Sequence, residues 1–117
     1  MKKVLKLSID FLEGPIWHDY FDREKKKLVT RIDVVDNDEI AQRLDKEIQD
    51  MYASYYEFNS HDQACWYNAE KEIEEAPKML ELMNKLNARL DEINDGSYEV
   101  QDCISWQLKD LIKRYHK

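Results

Sequence analysis

Glycine and proline are nearly missing from this chain, with two of each in 117 residues. Two glycines cannot build a phosphate-cradling P-loop or a G-x-G-x-x-G turn. A chain so poor in loop formers is expected to consist of long regular elements. Cysteine is as scarce. Cys65 and Cys103 form no C-x-x-C pair and read as reduced, buried thiols of a cytosolic protein. The histidines His18, His61 and His116 show no H-x-x-x-H spacing, so neither a metal site nor a cofactor is expected. No apolar run approaches the roughly 18 residues of a membrane span. Lys6, Ser8 and Asp10 interrupt any signal-like segment after Met1-Lys2-Lys3.

Charge is plentiful but lopsided. The net charge is −7, which disfavours binding to a phosphate backbone and suits a basic protein partner. Residues 1–32 hold eight basic and five acidic groups, residues 33–76 three and thirteen, and residues 77–117 seven of each. The acidity therefore sits almost wholly in the middle of the chain. Apolar residues make up 43% and aromatics 11%, enough for one globular core, and the length fits a single domain over 1–117.

Residues 3–11 alternate, with Leu5, Leu7, Ile9 and Phe11 on one side, which predicts a half-buried strand. Gly14-Pro15 breaks it. Ile16 to Phe21 suggests a second strand or else a helical turn, and 28–35, with Leu28, Thr30, Ile32 and Val34 on one side, a third strand. Short connections predict an antiparallel meander. Helical spacing follows. Asp36 with Glu39 forms a capping-box pattern, and Ile40, Ala41, Leu44, Ile48, Met51, Tyr52 and Tyr55 trace the stripe of a helix ending near Tyr56. Phe58 to Tyr67 reads as irregular. A second helix covers about 69–93, begun, broken or kinked by Pro77 and stopped at Asn94-Asp95-Gly96. After an extended piece at Tyr98–Val100, Asp102 is expected to cap a last helix with Lys113 and Arg114 at its C-terminal end. The fold class predicted is α+β: a small N-terminal antiparallel sheet packed against about three amphipathic helices.

No catalytic motif emerges. Ser8 and Ser54 lack a nucleophile-elbow context, and twenty-five acids make paired carboxylates uninformative. What stands out is an aromatic set: Trp17, Tyr20, Phe21, Tyr52, Tyr55, Tyr56, Phe58, Trp66 and Tyr67. Core packing accounts for most such residues, but Tyr and Trp also anchor interfaces. With the apolar stripe of residues 40–55 turned to the core, Asp38, Asp45, Gln49 and Tyr56 fall within about 40° of one another on one flank. That flank, with Asp62 and Trp66 from the following loop, is the expected partner-binding surface.

Three segments, Leu7-Ser8-Ile9-Asp10-Phe11-Leu12-Glu13-Gly14-Pro15-Ile16-Trp17, Ile32-Asp33-Val34-Val35-Asp36-Asn37-Asp38 and Glu92-Ile93-Asn94-Asp95-Gly96-Ser97-Tyr98, resemble a family of small immunity proteins that accompany contact-dependent growth inhibition toxins. The resemblance implies a cytoplasmic, non-enzymatic protein that binds the toxic C-terminal domain of a delivered effector, often a basic nuclease, and blocks it. It supplies no contact residues; the charge balance and the lack of long apolar runs are what argue against a nucleic-acid or membrane ligand. Two other classes fit the residues: a small enzyme using a carboxylate or a His61–Cys65 site, and an acidic adaptor or oligomeric subunit.

Overall fold

In a computed structural model, the chain is described except at residues 1–2, 10–13, 17–19, 25, 61–62 and 117, and except for the side chains of residues 20, 28, 58–60 and 63–65. The elements run β1 (Lys3–Leu7), β2 (Tyr20–Asp22), β3 (Lys27–Val29), α1 (Asp33–Asp36), α2 (Glu39–Ala53), β4 (Tyr56–Ser60), β5 (Gln63–Tyr67), α3 (Ala69–Glu92), β6 (Tyr98–Asp102) and α4 (Ser105–Tyr115). The class is α+β, as the periodicities predict. The arrangement of the strands is not the predicted one.

β1 keeps its alternation, with Leu5 and Leu7 buried between exposed neighbours. Its partner, however, is β6, in parallel register from Lys3↔Tyr98 to Leu7↔Asp102. A parallel pair needs a long crossover, and here most of the chain supplies it. Of the expected second strand, 16–21, the described residues give the bridge Leu7↔Ile16 and, at Tyr20 and Phe21, the start of β2, which pairs antiparallel with β3 as the meander predicts. β2 and β3 form a short hairpin of their own. The third predicted strand stops at Val29, and residues 33–36 turn into a helix instead. The reason lies in burial: Ile32 and Val35, three residues apart, are both in the core, and that is helical rather than alternating spacing. Asp36 is thereby diverted from capping α2. Its carboxylate accepts from the Thr30 N–H at 2.9 Å, the Thr30 hydroxyl at 2.8 Å and the Arg31 N–H at 3.1 Å. The cap of α2 is Asp38, which accepts from the Ala41 N–H at 2.7 Å.

α3 is the spine. Asn68 caps it by accepting from the Lys71 N–H at 3.0 Å, and its buried face carries Ala76, Met79, Leu82, Met83, Leu86 and Leu90. α2 and α4 both pack on it. Pro77 lies inside the helix and does not end it. Proline lacks the N–H that would bond the carbonyl four residues back, Ile73. The imidazole Nε2 of His116 donates to that same carbonyl at 2.5 Å, so the last turn of α4 satisfies the acceptor that Pro77 leaves open. After Glu92 the chain reverses through Asn94-Asp95-Gly96, with Gly96 at φ +92°, where a side chain is disfavoured. Tyr98 then buries its ring and donates its hydroxyl to the Leu90 carbonyl, tying β6 to the end of α3. Asp102 serves the start of α4 as expected, accepting from the N–H groups of Ile104 at 2.8 Å and Ser105 at 2.9 Å. No helix among the described residues is long and apolar enough to cross a membrane.

Candidate functional site: the hairpin corner

The region read as irregular, 58–67, is an antiparallel hairpin. β4 and β5 pair Tyr56↔Tyr67, Glu57↔Trp66 and Phe58↔Cys65. Aromatic runs on either side of Asn59-Ser60-His61-Asp62 are a hairpin signature, and the helical period extended to Tyr56 masked it.

The base of the hairpin is clasped by four tyrosines. Tyr52, from the last turn of α2, has its ring edge-on to Tyr55 at 6.0 Å and to Tyr56 at 5.6 Å. Tyr67 lies 4.9 Å from Tyr56 and 6.3 Å from Tyr55, again edge-on. Such pairs each contribute about 0.5–1.5 kcal/mol beyond burial. The Tyr52 and Tyr56 hydroxyls are 3.1 Å apart, and the Tyr67 hydroxyl donates to Glu72 in the first turns of α3. Asn68 closes the corner: besides capping α3, its amide donates to Glu57 at 2.9 Å, and its N–H bonds the Tyr55 carbonyl at 2.6 Å. Burial, then the Glu72 hydrogen bond, holds the Tyr67 phenol protonated far above the usual tyrosine range. Burial, together with the charges of Glu75 and Glu72, does the same to Tyr55. Tyr55 is fully buried, and its hydroxyl has no hydrogen-bond partner among the described residues. Neither phenol is a base near neutral pH; both are rigid packing units.

Residues of a strand alternate between its two faces. Tyr56 and Tyr67 turn toward Tyr52, so Glu57 and Trp66, directly paired, lie on the other face, both half-buried. Exposed carboxylates lie close to this pair in sequence: Asp50 in the last turn of α2, and Glu70 and Glu74 in the first turns of α3. The corner thus joins packed aromatic rings to two helix ends that carry exposed acids.

Of the six residues expected to form one partner-binding flank, the described five do not share one surface: only Tyr56 and Trp66 lie on the same hairpin. Asp38 caps the far end of α2, a helix about 22 Å long at 1.5 Å per residue, and is clamped by Arg89, whose guanidinium donates to its two oxygens at 2.5 and 3.0 Å. That hydrogen bond to Arg89 pulls the Asp38 carboxyl below its ordinary value. Asp45 is buried rather than exposed. It accepts from the Ile16 N–H at 2.8 Å, and Gly14 passes so close that a Cβ there would meet its Oδ1 at 2.5 Å. The flank lies only about 60° from Ile48, and the chain at residues 14–16 lies over it, so a polar position by periodicity becomes an interior one. Gln49 is half-buried. Tyr56 has left the helix for β4, where it shares the hairpin with Trp66. Asp62 falls outside the described residues, as do His61 and the Cys65 side chain, so the alternative His61–Cys65 site lies there too. Cys103 is a free, half-buried thiol. Among the described residues, no group of three His, Cys, Asp or Glu side chains is placed to hold a metal ion.

Asp50, Glu57, Glu70 and Glu74 lie outside the flank that helical spacing predicts. Their signal was the N-cap Asn68 directly after an aromatic run, which places the start of α3 and its first acids beside the hairpin. No family model, curated protein or solved structure matches the chain.

Proposed function

We propose that this chain is a stoichiometric inhibitor, an immunity protein of the contact-dependent growth inhibition type. It neutralises a basic toxin domain, a nuclease, by seating the β4–β5 corner in the toxin's cationic cleft. The observation that carries this reading is the Glu57–Trp66 pair on a hairpin clasped by tyrosines, with exposed Asp50, Glu70 and Glu74 on the helix ends that lead into and out of it. Exposed carboxylates steer a cationic partner and raise the association rate. An aromatic anchor on a pre-ordered hairpin limits the entropy lost on docking and slows dissociation. The resemblance of residues 7–17, 32–38 and 92–98 to the family supports the same reading, and the free thiol of Cys103 suits the reducing cytoplasm in which such a protein acts.

The test is co-purification with the product of the adjacent upstream gene, followed by surface plasmon resonance against its C-terminal domain. Asp50→Lys, Glu70→Lys and Glu74→Lys together should slow association about tenfold and flatten its salt dependence. Trp66→Ala should speed dissociation, by about 1–3 kcal/mol in affinity. Circular dichroism controls for folding. Unchanged on-rates and off-rates in folded variants would place the interface elsewhere, and absence of a complex with the upstream product would remove the reading.

A further inference from the structure

The outer side of α4 breaks the pattern that its inner side keeps. Leu108, Leu111 and Ile112 pack on the core. At about 100° per residue, Trp106 falls roughly opposite their centre, with Lys113 within about 20° of it and Lys109 about 60° to one side. Trp106 is 65% exposed, the most exposed large apolar side chain among the described residues. The lysines are as poorly matched. Lys85 has Glu81 four residues away at 3.6 Å, and Arg114 has Asp110 at 3.1 Å. Among the described residues, Lys109 and Lys113 pair with no carboxylate. They stand four residues apart, where like charges destabilise a helix. The helix dipole accounts for Lys113 and Arg114 in the last turn, but not for Lys109 or for a first turn without an acid.

This face lies across the helix from the chain that follows β1. Ile9, with Tyr52 and Tyr55, borders a cavity against Gln107, Leu108 and Leu111, about 150° around α4 from Trp106 and Lys109. The chain is next described at Gly14, which is held against Asp45 of α2. Unmatched local choices gathered on one face are the mark of a surface kept for another molecule. Tryptophan is a leading anchor residue of interfaces, and two cations beside it call for anions on the partner. Lys109 and Lys113 are about 6 Å apart along the axis, and Trp106 is about 10 Å from Lys113. Those steps match a second helix with two carboxylates one turn apart and an apolar residue about one turn beyond. A phosphate backbone or an anionic membrane fits less well, because the net charge of −7 repels an extended polyanion.

We infer that the Trp106–Lys109–Lys113 face of α4 docks an acidic amphipathic helix of a partner protein. A second copy of this chain is the poorer occupant, because a symmetric pair of these faces brings lysine to lysine. This surface shares no residue with the hairpin corner, and its test does not depend on the toxin.

Fluorescence anisotropy of the full chain with a labelled helical peptide tests it. The peptide carries two Glu four residues apart and a Leu three residues beyond, and a control peptide has Lys in place of Glu. The acidic peptide should bind about tenfold tighter than the basic one, Trp106→Ala should weaken it about tenfold, and Lys109→Glu with Lys113→Glu should reverse the preference. In the unmodified protein, the peptide should shift the NMR signals of the Trp106 indole and of the Lys109 and Lys113 amides, a readout that needs no variant to fold. Failure of the acidic peptide to bind, equal affinity for both peptides, or shifts confined to other residues overturns the inference. So does binding of an oligothymidine or of phosphatidylglycerol vesicles at this face in preference to the peptide, or the same shifts produced by raising the protein concentration alone.

Discussion

The two ends of α2 use the same residue type for different purposes. At the N-terminal end and along the buried face, Asp36, Asp38 and Asp45 are bound to backbone N–H groups or to Arg89. At the C-terminal end, Asp50 is exposed, as are Glu70 and Glu74 on the helix that leaves the tyrosine-clasped hairpin. A surplus of carboxylates between residues 33 and 76 is therefore not one acidic surface. Part of it holds the fold, and only the remainder is available to a partner. A carboxylate that replaces lost hydration with N–H donors becomes structure; one left in water remains a long-range charge.

The largest effect expected from breaking this division is at Asp45. Asp45→Ala leaves the buried Ile16 N–H without its acceptor and should cost about 3 kcal/mol, read as a lower denaturant midpoint. If Asp45 were a surface acid, the change would be under about 0.5 kcal/mol.

Asp38→Ala should come next, at about 2 kcal/mol, from loss of the α2 cap and of the charge-assisted bonds to Arg89. It carries a pH signature. The carboxyl is held below its unfolded value of about 3.9, so its stabilisation is complete above that pH and is lost as the pH falls through the folded value. Denaturation midpoints measured from pH 6 to pH 2 should fall less steeply in Asp38→Ala than in the parent.

The tyrosine clasp offers a smaller, opposite change. Tyr55 buries a hydroxyl that has no partner among the described residues. Tyr55→Phe removes that unsatisfied group while keeping the ring, and should be neutral or stabilising by up to about 1 kcal/mol in thermal melts. A loss above 1 kcal/mol would reveal a partner for the hydroxyl.

Smallest of all should be charge reversal at the corner. Asp50→Lys, Glu70→Lys and Glu74→Lys, taken singly, should each move stability by less than about 0.5 kcal/mol, and circular dichroism should be unchanged. An effect as large as that at Asp38 would move these acids into the structural set and erase the contrast between the two ends.

The helices were largely legible. The stripe Ala41, Leu44 and Ile48, the stop at Asn94-Asp95-Gly96 and the service of Asp102 to α4 all follow from local spacing and local hydrogen bonding. The strands were less so. The alternation of 3–7 reveals that β1 has a buried face, yet period two is silent on its partner, which lies more than ninety residues away. The alternation at 28–35 lost to the burial of Ile32 and Val35 on one helical turn. The candidate site suffered most, because a helical wheel assigns faces to an isolated helix and knows nothing of what else covers them.

What the sequence by itself determined are the properties set within a few residues: helical and strand periods, turn positions, and a charge balance concentrated between residues 33 and 76. What only the tertiary structure decided are the properties that require two distant segments to meet. Asp45 is interior because residues 14–16 cross it, Asp38 is clamped because Arg89 arrives from α3, and the Ile73 carbonyl left open by Pro77 is satisfied because His116 reaches it from the end of α4. Whether a carboxylate or a carbonyl belongs to the fold or to the solvent depends on which donor comes within hydrogen-bonding distance, and that is settled by packing rather than by spacing along the chain.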